Sequence, residues 1–404
     1  DRSPSRGLGD VYKRQPEGRE YLDFLSAYSA VNQGHCHPAV VGALVAQAQR
    51  LTLSSRAFYN SVFCEFAEKV TRLFGYDMVL PMNTGAEAVE TALKLARKWA
   101  YKHKGVPTDK ARILSASGNF HGRTLGVISM STDPESRGGF GPLLERVGPN
   151  VGDLQIRYGH AEDLEQALAQ VGHETAAVLL EPIQGEAGIM VPPEGYLQRV
   201  SQLCKQHNVL FICDEIQTGL ARTGRMLCSD HAGVRPDVVT LGKALSAGVY
   251  PVSAVLADRE VMLSIAPGEH GSTYGGNPLG SAAAIAALDV IINEKLCERA
   301  ERLGEQFRNG LSQIKHPLLK EVRGKGLLNA IVIDEAASTK GRSAWHLCLV
   351  LKENGLLAKP THQNIIRLAP PLVITEEELQ RGLDAIRKSL EQLDTLETIP
   401  GDGA

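Results

Sequence analysis

The chain has 404 residues, of which 43% are hydrophobic and 22% charged, with a formal net charge of −3. That length exceeds a single small core and sets the expectation of one large and one smaller domain. The balanced charge offers no basic excess for nucleic acid and no single-sign disordered tail, and no apolar run approaches the roughly 18 residues that span a membrane.

Residues 1–15 show no apolar periodicity and read as translated adapter or vector sequence, so the native N-terminus and any targeting peptide are expected to be missing. Residues 16–37 are then the remnant of an N-terminal segment, with a short strand over 21–25 and a loop over 26–34. His35, Cys36 and His37 could suggest a metal. With no second ligand pair nearby and Pro38 directly following, the expectation is a turn before a helix and no metal. Pro38 opens that helix, with Val40, Val41, Leu44, Val45 and Ala48 at helical spacing. The seven cysteines (Cys36, Cys64, Cys204, Cys213, Cys228, Cys297 and Cys348) are scattered and lack a CxxC pair. That pattern points to reduced thiols in an intracellular compartment rather than a disulfide framework.

A short run over 79–85 precedes a helix over 86–101 with Val89, Leu93 and Ala96 on one face. Glu87 and Glu90 lie early in it and Lys94, Arg97 and Lys98 late, as the helix dipole favours. Thr84, Gly85 and Ala86 therefore form either an anion site of free backbone N–H groups, suited to a phosphate, or a plain glycine turn. A strand over 112–116 leads into a glycine-rich loop over 118–125. There Phe120 can stack on a ring or plug a gap, and Arg123 can fork onto a carboxylate or stay solvated. Another strand over 176–182 runs into residues 183–188, and a helix covers 197–205. The apolar strand over 209–214 ends in Asp214. Such an acid is costly unless it meets a cation or strong donor, or unless the strand end is solvated. Val238, Val239, Thr240 and Leu241 form a buried strand after the Pro236-Asp237 turn, and Lys243 follows among Gly242, Ala244, Leu245, Ser246 and Ala247. A lysine in apolar surroundings tends to lose its charge, and a neutral amine can attack a carbonyl; the alternative is an ordinary surface lysine.

Strands thus alternate with helices from about residue 79 to 256, the pattern of a mostly parallel sheet with helices on both faces. A turn cluster over 270–278 precedes helices over 279–292 and about 296–314. Strands over 327–333 and 365–368, a helix over 344–353, and a last helix capped by Thr375 and Glu378 make a smaller α+β domain. Pattern alone reads Arg367, on the 365–368 strand, as a solvated arginine. The expected division is a large domain over 38–290 and a small C-terminal domain over 291–404.

A lysine at one strand end, an acid at another, a phosphate cradle at a helix start and a loop aromatic share one sheet. That set fits one cofactor, pyridoxal 5'-phosphate. The stretches AYSAVNQGHCHP, PMNTGAEAVETALKLARKW, GNFHGRTL, EPIQGEAG, DEIQTGLARTG, LGKALSAGVYPVSAV, GEHGSTYGGNPLG and RGKGLLNA carry a resemblance to the class III (ω-) aminotransferases of fold type I. The resemblance runs from about residue 17 to about residue 393.

The resemblance implies that Lys243 holds the cofactor covalently, that Asp214 pairs with its pyridine nitrogen, and that Gln217 lies near its phenolic oxygen. It implies that Phe120 stacks on the ring, that Gly85 and Ala86 donate to the phosphate, and that Thr273 reaches the phosphate of a partner subunit. Arg123 would bind a substrate carboxylate and Arg367 the α-carboxylate of the oxo acid. Glu186 would neutralise Arg367 when the amine donor is bound, and Tyr28 would admit a charged δ-amino chain. The implied reaction moves the δ-amino group of L-ornithine to 2-oxoglutarate, with acetylornithine or 4-aminobutyrate as alternative donors in the same class. A homodimer or an assembly of dimers is implied, in the cytoplasm or alternatively the mitochondrial matrix. The sequence departs from the family in two places. The segment N-terminal to Tyr21 in which the family carries a further tyrosine is expected to be absent or overwritten, and His121 stands where some relatives have tryptophan. A decarboxylase or racemase would not need a switchable Glu–Arg pair, and a non-enzymatic relative would be expected to lose Lys243 or Asp214.

Overall fold

The strands Leu210–Asp214, Val238–Leu241 and Ser253–Ala257 are buried at every position. Strands with no polar face need cover on both sides. In the computed structural model, which describes residues 11–14 and 18–402, they lie at the centre of a seven-stranded sheet. Its spatial order is Met78–Met82, Ser253–Ala257, Val238–Leu241, Leu210–Asp214, Thr175–Leu180, Arg112–Leu114 and Val147–Gly148. Six strands run the same way and Ser253–Ala257 runs against them.

Alternate side chains feed the two faces, as the pleat requires. Ile212, Val238, Val255 and Ala257 pack with the helix Gly85–Trp99. On the opposite face, Val178, Leu180, Phe211 and Cys213 pack with Ala161–Val171 and Tyr196–Gln206. Val239, Leu241 and Leu256 share a core with Pro278–Asn293. The mostly parallel sheet with helices on both faces is therefore observed.

Register then sets the site. Thr240 is paired with Asp214, and Leu180 with Cys213, on parallel neighbours. Glu181, Asp214 and the residues after Leu241 thus reach the same carboxyl edge of the sheet, where open α/β sheets bind ligands.

The C-terminal part is a four-stranded antiparallel sheet in the order Leu319–Lys325, Leu328–Ile333, Ile365–Leu368, Lys359–Thr361. The helices Leu296–Ser312, Ala344–Glu353 and Glu376–Leu393 accompany it. A third sheet joins Tyr12–Arg14, Glu20–Asp23 and Leu356–Leu357, so the early chain is stitched to the C-terminal part. This corrects the expectation that residues 1–15 carry no element. Strand pairing with Glu20–Asp23 orders Tyr12–Arg14, which lacks any periodicity of its own; residues 1–10 and 15 lie outside the described residues.

Arg222 is fully buried and ties these parts together. Its guanidinium donates to Asn32 Oδ1 at 2.6 and 3.1 Å, to the Leu327 carbonyl at 2.9 Å and to the Pro370 carbonyl at 2.7 Å. Burial pulls its pKa down to about 9, against the opposing charge of Asp23. The histidines before Pro38 have protein partners: His35 Nε2 lies 2.8 Å from Asp23 and His37 Nε2 lies 3.0 Å from Glu294. The loop expected over 26–34 begins as a tight turn in which Ser26, Ala27, Tyr28 and Ser29 all have positive φ, from 47° to 70°.

Candidate active site

One cavity, with about 650 Å³ of empty space, opens at the carboxyl edge of the large sheet. Its walls carry Lys243, Asp214, Gln217, Phe120 and Glu186, and its floor carries Gly85 and Ala86. Seven of the residues singled out from sequence therefore line one space.

Asp214 is held from three sides. Its Oδ2 lies 2.7 Å from His121 Nδ1, and its Oδ1 accepts from the Ile216 N–H at 3.1 Å and from Thr240 Oγ1 at 3.2 Å. Burial disfavours the His121 imidazolium. The hydrogen bond and charge of Asp214, with the charge of Glu181, outweigh that and hold the His121 pKa above its ordinary value. The other ring nitrogen, Nε2, is buried with no partner among the described residues. Buried polar groups are normally paired, so an orphan here marks a place shaped for something further.

Lys243 lines the cavity and is partly buried. Burial lowers its pKa, against the raising charges of Asp214, Glu186 and Glu181. Its φ of 44° lies in the left-handed region, a strained setting for a non-glycine residue and one common at functional sites.

The cradle is the start of Gly85–Trp99. Thr84 caps it by accepting from the Glu87 N–H at 3.2 Å, while Glu87 Oε2 accepts from the N–H groups of Asn83 and Thr84 at 2.9 and 2.8 Å. The N–H groups of Gly85 and Ala86, at the first turn, have no intrahelical acceptor and suit an anion. Gly122 presses on this turn: a Cβ there would stand 2.8 Å from the Ala86 Cβ. Lysine, paired aspartate, ring-sized aromatic wall and free N–H cradle together fit pyridoxal phosphate.

Glu181 is buried on the same wall, though sequence reasoning did not single it out. It follows a fully buried strand, and the signal that marked Asp214 at the end of another could have found it. Its two oxygens accept from the Phe120 N–H at 2.7 Å and the Gly185 N–H at 2.9 Å, pinning the two loops that bear Phe120 and Glu186. Burial pushes its pKa up to about 7.

Beside the Glu186 wall the surroundings are basic with one internal acid. Arg367 is buried rather than solvated, and its Nη1 lies 2.6 Å from Glu186 Oε1. This corrects the pattern-based reading of Arg367. Sheet pairing carries its strand inward beneath Tyr28, whose ring centroid lies 5.1 Å from the guanidinium. Burial raises the Glu186 pKa, but Arg367, Lys243 and Gln217 together hold it below the usual glutamate value. Gln217 Nε2 donates to the Tyr28 carbonyl at 3.3 Å. A Cβ on Gly185 would fall 1.4 Å from Gln217 Oε1, so a side chain there would displace the Gln217 amide. Arg123 is exposed at the rim, 5.5 Å from the Phe120 ring, with its Nη1 on Ser136 Oγ at 2.9 Å. Thr273 is not part of this cavity. It is exposed and lines a separate groove with Phe58, Tyr59 and Asn277.

The Aminotransferase class-III family matches residues 3–390. The ornithine aminotransferase of Schizosaccharomyces pombe is 64% identical over 387 residues, covering 95% of this chain and 88% of that protein. An ornithine aminotransferase structure from Toxoplasma gondii, with partial occupancy of pyridoxal phosphate at its active site, superposes with a TM-score of 0.91 at 48% identity, covering 97% of this chain and 89% of that one. An acetylornithine aminotransferase from Elizabethkingia anophelis superposes with a TM-score of 0.84 at 53% identity, covering 96% and 93%. With the cavity built as described, this chain belongs to the class III aminotransferases, and its cofactor is pyridoxal 5'-phosphate.

Proposed function

We propose that the chain is an ornithine δ-aminotransferase, which converts L-ornithine and 2-oxoglutarate to glutamate 5-semialdehyde and glutamate. The observation that carries this reading is the Glu186–Arg367 pair at 2.6 Å on the cavity wall. A site that takes a monocarboxylate amine donor and then a dicarboxylate oxo acid needs an arginine that can be masked and unmasked, and Glu186 is such a mask.

When bound, pyridoxal phosphate supplies a carbonyl for amine capture and an electron-withdrawing ring. The protein's part is positioning and proton handling. Lys243 Nζ, with its charge disfavoured by burial, would hold the cofactor and carry the proton removed from Cδ of ornithine. Asp214, fixed by His121, Thr240 and Ile216, would hold a proton on the ring nitrogen. The Gly85 and Ala86 N–H groups would bind the phosphate, Phe120 would cover the ring, and Gln217 would meet the phenolic oxygen. Arg367 and Arg123 would hold the two carboxylates of 2-oxoglutarate, and Tyr28 would line the path of the δ-amine.

The reading includes a homodimer, or an assembly of dimers, in which Thr273 reaches the partner's phosphate. Exposure of Tyr59 (100%), Phe58 (72%) and Tyr274 (51%) beside Thr273 supports a face that a second copy covers. We place the enzyme in a reducing compartment, the cytoplasm or alternatively the mitochondrial matrix, because all seven cysteines are free. Among the described residues no helix is long and apolar enough to cross a membrane.

The likeness to an acetylornithine aminotransferase keeps that donor, with 4-aminobutyrate, as the second reading. A donor panel with 2-oxoglutarate as acceptor decides between them. Ornithine should give the highest kcat/KM and yield glutamate 5-semialdehyde; preference for the acetylated donor would replace the proposal.

A further inference from the structure

The strand Lys359–Thr361 lies at the edge of the small sheet, and its register puts Lys359 directly opposite Arg367. Directly opposed residues on antiparallel neighbours share a face, and like charges there are destabilising. An edge lysine can simply keep the edge from pairing with another chain, in which case it extends into water. Lys359 does something else. Its Nζ donates to the Tyr28 hydroxyl at 3.3 Å and stands 5.5 Å from the Tyr28 ring centroid. Arg367 approaches the same ring at 5.1 Å. Tyr28 is thus flanked by an inner cation already masked by Glu186 and an outer cation on Lys359 that remains exposed at the mouth. The next residue but one, Thr361, donates from Oγ1 to the Glu186 carbonyl at 3.0 Å, so the same strand also supports the masking residue.

From this placement we propose that Lys359 is a substrate-specificity residue, which with Arg123 binds the carboxylate at the far end of both substrates. The inference rests on the ornithine reading above. In either half-reaction one carboxylate points out of the cavity, away from Lys243. It lies four bonds from the reacting carbon in ornithine and three in 2-oxoglutarate. A planar guanidinium fork suits one reach, whereas an ammonium on a flexible four-carbon stem follows a carboxylate through both. The hydroxyl of Tyr28 parks the ammonium at the mouth between substrates, and its ring offsets some of the repulsion from Arg367.

The test is steady-state kinetics of Lys359→Gln and Lys359→Arg. The substrates are ornithine and 1,4-diaminobutane, which is ornithine without its carboxylate, and then 2-oxoglutarate and pyruvate, which lacks the far carboxylate. Loss of one charged hydrogen bond predicts a fall of about 10- to 100-fold in kcat/KM for ornithine with Lys359→Gln, carried by KM. The ratio of ornithine to diaminobutane, and of 2-oxoglutarate to pyruvate, should fall by a similar factor, and Lys359→Arg should recover most of it. Equal losses for the substrates with and without the carboxylate would make Lys359 a mere support for Tyr28 and overturn the proposal, as would no loss at all. Failure of the unaltered enzyme to use ornithine would be a different result, striking the functional reading itself.

Discussion

Glu186 meets opposite demands at one point. On the proposed reading, an unmasked Arg367 would repel the incoming δ-ammonium of ornithine, and Glu186 would have to release Arg367 to the α-carboxylate of 2-oxoglutarate. Removing one partner of a buried pair costs about 3–5 kcal/mol, so Glu186→Ala should slow the ornithine half-reaction at least about tenfold and raise relative reaction at the α-amine of glutamate. Single-turnover absorbance of each half-reaction measures this, and an equal change in both would reduce Glu186 to a structural role. Glu181 gives a separate prediction in pH. Its carboxyl titrates near the ordinary 4.5 when unfolded and near 7 when buried, so between those values the native state holds the extra proton. Stability from this group therefore falls as pH rises through that window, by at most about 1.4 kcal/mol per pH unit. Glu181→Gln should flatten that part of the stability profile. It should also lower the melting temperature, because an amide cannot accept from both the Phe120 and Gly185 N–H groups. An unchanged slope in urea titrations from pH 5 to 7.5 would show that Glu181 does not titrate there. That Lys243, Asp214, Gly85 and Ala86 would meet in one cavity was legible because strand ends and a helix start announce themselves. Arg367 was not, since its burial depends on a strand pairing no local pattern encodes.

At the scale of elements, the long ones were readable. Ala344–Glu353 and Ile365–Leu368 fall where periodicity put them, and Gly85–Trp99 begins one residue earlier and ends two earlier than expected. Leu319–Lys325 escaped because LKEVRGK is mostly polar, and Lys359–Thr361 because a central proline argues against a strand. Both are edge strands, whose character is set by a neighbour and not by their own burial. The turn Ser26–Ser29 is the strongest departure from local preference, with four consecutive non-glycine residues at positive φ. Each such residue costs about 1–2 kcal/mol. The N–H groups of Leu25 and Ser26 donate to Asp23 Oδ1 at 3.0 Å, and Ser26 Oγ donates to the Ala369 carbonyl at 2.6 Å, so the surroundings impose the shape. The strain presents Tyr28 to Arg367. Ala27 is exposed and sits at φ 47°, so Ala27→Gly should leave stability equal or up to about 1 kcal/mol higher. The freed turn should lower the preference for ornithine over glutamate as donor. A clear loss of stability in urea unfolding would mean the turn is not strained.

At the scale of the whole molecule, the cavity is a junction. The large sheet supplies Asp214 and Lys243 to its lining, the small sheet brings Arg367 against Glu186 of that lining, the early chain sets Tyr28 over Arg367, and Arg222 ties these parts together. Thr273 points away from its own cavity into a groove rimmed by exposed Phe58 and Tyr59, a costly surface for an isolated chain. If a second copy covers that face and Thr273 completes the partner's phosphate site, then assembly and cofactor retention are one equilibrium. Placing a charge at Tyr59, fully exposed in the single chain, should leave each subunit folded yet divide the dimer. Thr273→Ala should leave the dimer intact and weaken cofactor binding about 10- to 100-fold, the worth of one hydrogen bond to a charged group. Sedimentation at several protein concentrations, read at the cofactor's visible absorbance and at the protein's own, measures both. With Tyr59→Glu the visible band should fade as the protein is diluted into monomer. An active monomer that kept its cofactor on dilution would place Thr273 outside the site and the exposed aromatics outside any dimer.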